Sequence, residues 1–74
     1  MNEVFNGTVI WFNNGKGFGF IKWSKDGLEQ NDLFVYWSDI DMQGYKTLQK
    51  DQVVSFEIGT NHSGKPKAIL VKTV

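Results

Sequence analysis

Nowhere in this chain do apolar side chains recur at helical spacing over ten or more positions. A helical domain is thereby excluded, and short apolar runs are left as the material of the fold. Val4 to Asn13 is rich in β-branched and aromatic residues and predicts a first strand. Asn14-Gly15 follows as a turn signal, because both residues tolerate positive φ. Gly17 to Trp23 predicts the second strand, and the polar stretch Ser24 to Asp32, with Asp26-Gly27 inside it, a loop. "LFVYW", Leu33 to Trp37, is a continuous apolar run and the third strand. Ser38 to Asp41 suggests one helical turn capped by Ser38, and Met42 to Lys50 a longer connection. Val53 to Ile58 alternates around Val54, Phe56 and Ile58 and predicts the fourth strand. After a loop over Gly59 to Pro66, Lys67 to Thr73 predicts the fifth, with the single proline just ahead of it, where a missing N–H does least harm. Five short strands between turn signals imply an all-β barrel or sandwich. At 74 residues a five-stranded antiparallel Greek-key barrel is the economical form, because closure limits exposed edges.

Length also implies a single domain over residues 1–74 with a small core. The chain has no cysteine and one histidine, His62, so neither a disulfide nor a zinc centre is expected. No apolar run approaches the roughly 20 residues of a membrane span, and Met1-Asn2-Glu3 lacks the features of a signal peptide. The expected setting is cytoplasmic, with no membrane partner. Eight lysines balance eight acids, and there is no arginine. Such a balance argues against a protein that grips duplex nucleic acid mainly through phosphates. Single-strand binding stays open, since stacking carries much of its affinity. The excess lies in aromatics, at 15% of the chain.

Those aromatics fall in two runs. Strand alternation puts Phe18 and Phe20 on one face of strand two and Gly17 and Gly19 on the other. In strand three, Leu33 and Val35 form the better inward set, because Tyr36 would otherwise bury a hydroxyl in need of a partner. Phe34 and Tyr36 then face out. With Gly17 and Gly19 inward, followed by Ile21 after a local irregularity, Phe18 and Phe20 face out beside them. Trp11 is expected to join the same patch. Taken singly, aromatics in a small β domain are more often core; the glycine alternation and the amphiphilic Tyr36 shift this set toward the surface. A contiguous aromatic patch marks a binding surface, and Lys16 at its edge suits a ligand with flat apolar groups and negative charge. Single-stranded nucleic acid has both. Gly15-Lys16-Gly17-Phe18-Gly19 lacks the spacing of a phosphate loop and does not open a helix. Asp39 and Asp41, and Asp26, Glu29 and Asp32, read as solvated turn and loop rather than as catalytic or metal-binding sets.

"KGFGFI" (Lys16–Ile21) and "LFVYW" (Leu33–Trp37) resemble the two ribonucleoprotein motifs of the cold-shock domain family. "GTVIWFN", "GYKTL", "DQVVSFEI" and "GKPKA" stand where that family has its remaining segments, so the resemblance spans nearly the whole chain. The RNA-recognition motif shares the K-G-F-G-F opening but needs two helices and the opposite motif order. The cold-shock resemblance implies a barrel of the oligonucleotide-binding (OB-fold) type that binds single-stranded RNA and ssDNA, pyrimidine-rich by preference, with no catalysis and no cofactor. It implies roles as RNA chaperone, helper of translation in the cold and transcription antiterminator. It also implies Trp11, Phe18, Phe20, Phe34 and Trp37 as stacking platforms, Lys16 on the backbone, and Asp32 as hydrogen-bond partner of a base. Tyr45 falls at the family's aromatic on the long loop, and Asn13 shapes the turn or touches a base edge.

The departures are informative. Tyr36 stands for the family's usual histidine and Trp37 for a phenylalanine; both still stack. Ile10 stands for the usual lysine before the first tryptophan, which removes a phosphate contact. Loop Gly59–Pro66 is about a residue longer, leaving Lys65 a doubtful substitute for the family's basic loop residue. A shallow salt dependence is therefore expected. Trp23 either covers a barrel end or extends the patch. The competing expectation is a protein-interaction or self-association module using the same patch; the leading one is a monomer with at most weak dimerisation.

Overall fold

The computed structural model describes residues 3–41, 44 and 47–74. Among them are strands β1 (Phe5–Asn13), β2 (Phe18–Lys25), β3 (Leu28–Glu29), β4 (Leu33–Tyr36), β5 (Val53–Thr60) and β6 (Pro66–Thr73), with a single 3₁₀ turn at Trp37–Asp39. The sheet runs β1-β5-β6-β4-β2, and β1 pairs again with β2, so five strands close on themselves. The fold is all-β and its barrel is of the expected five-stranded kind. Four of its pairings are antiparallel; the closing one, β4 to β6, is parallel and sets Phe34 opposite Lys67.

β1 serves two neighbours, one on each edge. It pairs with β5 over Phe5–Thr8 and with β2 over Gly7–Asn13, and the register to β2 slips between Val9 and Trp11. Ile10 is the extra residue of this β-bulge, which sharpens the local twist and re-aims whatever follows. Val9 is fully buried, yet Trp11, two residues on, is 40% exposed. The irregularity expected near Ile21 in β2 thus lies in its partner: Gly19, Ile21 and Trp23 alternate inward without a break. A second bulge does the same in β6. Two residues, Leu70 and Val71, oppose Phe56, with Leu70 at φ 50° and exposed and Val71 buried.

Three local expectations change. Asp26-Gly27 is a tight hairpin turn, both residues at positive φ, joining β2 to the two-residue β3 where a plain loop was expected. In the Asn14–Gly17 connection the positive φ belongs to Gly17, not to Asn14 or Gly15; the Gly17 N–H closes the turn on the Asn13 carbonyl at 2.7 Å. The helical turn starts at Trp37, after Tyr36, and Ser38 provides no cap.

The core is apolar throughout. Val9, Ile21, Leu33, Val35, Ile40, Leu48, Val54, Phe56, Ala68 and Val71 are buried, and no polar or charged residue is buried with them among the described residues. Each large aliphatic hidden here contributes about 1.5–3 kcal/mol relative to exposure. Trp23 closes one part of this core. It is 9% exposed, stands edge-on to Phe5 at 5.0 Å and Phe56 at 5.7 Å, and its indole N–H donates to the Asn31 carbonyl at 3.0 Å. Of its two expected roles, Trp23 takes the first.

Candidate nucleic-acid interface

Three strands, β1, β2 and β4, converge on one ladder of rings. β2 and β4 set Phe20 opposite Phe34 and Phe18 opposite Tyr36. The bulge at Ile10 brings Trp11 opposite Phe20 from the other side. The rings then touch in sequence: Trp11 lies 5.6 Å from Phe18 and 5.3 Å from Phe20, both edge-on. Phe34 stacks on Phe18 at 5.2 Å, meets Phe20 edge-on at 4.9 Å, and leads to Tyr36 at 4.7 Å. Offset and edge-on pairs at such spacings are the favoured aromatic geometries. They hold the rings in place before any ligand arrives.

What keeps these rings out of the core is the other face of β2. Gly19 is buried against β1: a Cβ there would run into the Trp11 carbonyl oxygen and stand 2.8 Å from the Phe12 Cα. Since no side chain fits inward at that point, the two strands approach closely and the bulky residues at 18 and 20 take the outer face. Phe18, Phe20 and Phe34 are half-buried by one another, and Tyr36 is 36% exposed. Trp37, 55% exposed, continues the surface at the β1–β2 turn. Its backbone N–H donates to the Gly17 carbonyl at 2.8 Å, and its indole covers the space a Gly17 Cβ would need.

The remaining expected site residues are placed as follows. Lys16 is exposed in the turn, and its backbone N–H donates to the Asn13 side-chain oxygen at 3.0 Å. Asn13 thus spends that oxygen on shaping the turn. Asp32 is exposed two residues before Phe34, at the opposite end of β4 from Tyr36. Tyr45 lies outside the described residues.

Lys67 escaped sequence reasoning. Its ammonium lies 5.5 Å from the centre of the Tyr36 ring and 3.0 Å from Asp39 Oδ2, with both partners of the ion pair largely shielded from water. A cation over a tyrosine ring is attracted by the ring's quadrupole, and Asp39 cancels much of its charge toward any other anion. Only the parallel β4–β6 pairing brings this lysine to the ladder. Alternation within β6 could show merely that it faces away from Ala68. Two further ion pairs among the described residues, Lys22–Glu29 and Lys72–Asp41, are exposed and contribute little. The surface is therefore chiefly aromatic, with weak charge at its rim.

Residues 5–74 match the family model described as the "Cold-shock" DNA-binding domain. Among similar proteins is the cold shock-like protein of Thermotoga maritima, 52% identical over 68 residues that cover 92% of this chain and 96% of that one. The cold shock-like protein CspB of Bacillus cereus is 48% identical over 67 residues, 90% of this chain and 97% of its own. The cold shock protein CspA of Staphylococcus aureus is 47% identical over 66 residues, 89% and 94% of the two chains.

Proposed function

The chain belongs to the cold-shock domain family, which is nucleic-acid-binding and non-enzymatic, and from that premise we propose that it binds single-stranded RNA and ssDNA by stacking successive bases on its ring ladder. Trp11, Phe18, Phe20, Phe34, Tyr36 and Trp37 are the platforms; Tyr45, outside the described residues, is a further contact that the family resemblance implies. Lys16 meets the backbone, Asp32 accepts a hydrogen bond from a base, and Asn13 holds the turn that presents Lys16. One observation carries the reading: five rings in continuous contact on the outer face of a barrel whose core is already complete without them.

Stacking is worth about 1–3 kcal/mol per base and tolerates any sequence, because every base has a π-face. Three or four occupied platforms therefore give useful affinity without a basic surface, which agrees with the zero net charge. A sequence-tolerant binder of unpaired strands shifts RNA away from its folded forms by mass action. This is the physical basis of an RNA chaperone and of a regulator of transcription and translation in the cold or under stress. The proposal includes a preference for pyrimidine-rich strands, a cytoplasmic setting and a monomer that dimerises weakly at most.

Titration with oligothymidine at low salt tests it. Trp11 lies within the ladder, so binding should quench tryptophan fluorescence. An unchanged spectrum at micromolar protein would refute the proposal.

A further inference from the structure

We propose that the polar groove across the outer faces of β1, β2 and β3 reads one base of the bound strand. It selects a base whose exocyclic amine stands beside a ring-nitrogen acceptor, cytosine or adenine, over thymine or uracil. The inference rests on the nucleic-acid reading above and adds a specificity that the rings lack. Asn6, Thr8, Lys22, Ser24 and Glu29 are the polar side chains that line the groove. It continues the ladder past Phe20. Phe18, Phe20, Lys22 and Ser24 alternate with the buried Gly19, Ile21 and Trp23, so all four share the outer face of β2. Trp11 is paired with Phe20 and, beyond the bulge, Thr8 with Lys22. Lys22 thus stands two residues, about 7 Å, from the last ring of β2, within reach of the nucleotide that follows one stacked there.

The lining differs in kind from the ladder. Every base has a π-face, so the rings accept any of them. The groove instead offers hydroxyls, an amide, an ammonium and a carboxylate, and hydrogen-bonding groups of this kind read the Watson–Crick edges of splayed bases. Its lip is built in advance. The Asp26-Gly27 turn folds β3 back on β2 and sets Glu29 opposite Ser24. Directly after Glu29 the chain is pinned: the Gln30 N–H donates to the Trp23 carbonyl at 3.0 Å, and the Trp23 indole N–H to the Asn31 carbonyl at 3.0 Å. Lys22 Nζ lies 3.3 Å from Glu29 Oε1. A donor and an acceptor are therefore presented side by side, at low ordering cost on binding.

That pair decides the base. A carboxylate accepts hydrogen bonds and donates none, and an ammonium does the reverse. Cytosine and adenine present an amine beside a ring nitrogen: the amine donates to Glu29, and the ring nitrogen accepts from the Lys22 ammonium. Glutamate accepting from the cytosine amine is a known pairing in base readout. Thymine and uracil present carbonyl oxygens on both sides of a single N–H, and a carbonyl oxygen set against the carboxylate is repelled. The charge of Lys22 is already matched by Glu29, so the groove favours a base edge over a phosphate. Asp32 is a separate acceptor. It precedes Leu33, which pairs with Ile21 on the β4 side of β2, and it does not line the groove.

The test uses fluorescence titrations of the full chain at low salt with DNA strands of equal length: a short oligothymidine, and the same strand with cytosine at its 5′ or its 3′ end. One of the two cytosine strands should bind wild type about two- to fivefold tighter than oligothymidine, the scale of one exposed hydrogen bond. Glu29→Ala should abolish that ratio. Glu29→Gln, which keeps an acceptor, should retain part of it, and Asp32→Ala should leave it unchanged. Freeing Lys22 shifts all the affinities together, so the ratio between strands is the readout. If wild type binds the strands equally, or Glu29→Ala keeps the ratio, the subsite is overturned and the stacking reading stands. If wild type binds none of the strands, both readings fall.

Discussion

Replacing Phe34 by leucine separates a platform from a core residue. Phe34 is the hub of the ladder, with Phe18, Phe20 and Tyr36 all within 5.2 Å of its ring centre. Leucine keeps most of the apolar volume but has no π-face. Three ring pairs are lost, each worth about 0.5–1.5 kcal/mol beyond area. New leucine contacts offset much of this on a half-buried surface, and volume-conserving apolar swaps usually cost under about 1.5 kcal/mol. The expected loss of stability is about 1–2 kcal/mol. A 74-residue chain holds about 4–11 kcal/mol at typical values, so the variant stays folded. Binding should fall by one platform, about 1–3 kcal/mol or roughly 5- to 150-fold in Kd. Urea unfolding followed by circular dichroism gives the first quantity, and oligothymidine quenching of tryptophan fluorescence the second. Unchanged affinity would refute the platform assignment. A stability loss above about 4 kcal/mol would place Phe34 among true core residues and equally refute the reasoning.

Further outcomes follow from the same geometry. Gly19→Ala should unfold the barrel or cost it more than about 3 kcal/mol in thermal denaturation, because the new methyl meets β1 backbone that cannot yield. Gly27→Ala meets open space and strains only a positive φ, so it should cost about 1–2 kcal/mol and leave binding intact. Trp23→Phe should lower stability by about 1–3 kcal/mol through the lost Asn31 hydrogen bond and poorer packing, with oligonucleotide affinity unchanged. Asp39→Asn releases the Lys67 ammonium; affinity should rise and its logarithmic salt dependence steepen by up to about 0.7, the value for one added phosphate contact on a single strand. A salt slope equal to that of wild type would show that Lys67 does not face the strand.

Much of this protein is local in origin and could be read from the chain. Strands β1, β2, β4, β5 and β6 follow from β-branched and aromatic runs between turn residues, and the inward pair Leu33 and Val35 follows from period-two alternation. The rings at 18, 20, 34 and 36 were legible for the same reason: each strand shows its two faces in its own sequence. Other features depend on which strands meet and at what register, and such pairing leaves little local trace. The bulge at Ile10 falls just past the end of the β1–β5 pairing, and it decides that Trp11 stands outside while Val9 is buried. The Asp26-Gly27 hairpin was visible as a dipeptide, but its turn required a strand partner only two residues long. Lys67 reaches the ladder through the parallel closure of β4 on β6, residues 33 positions apart in the chain. A neighbour that distant is chosen by burial of the common core, so the rings were written in the sequence, and the cation beside them arose on closure.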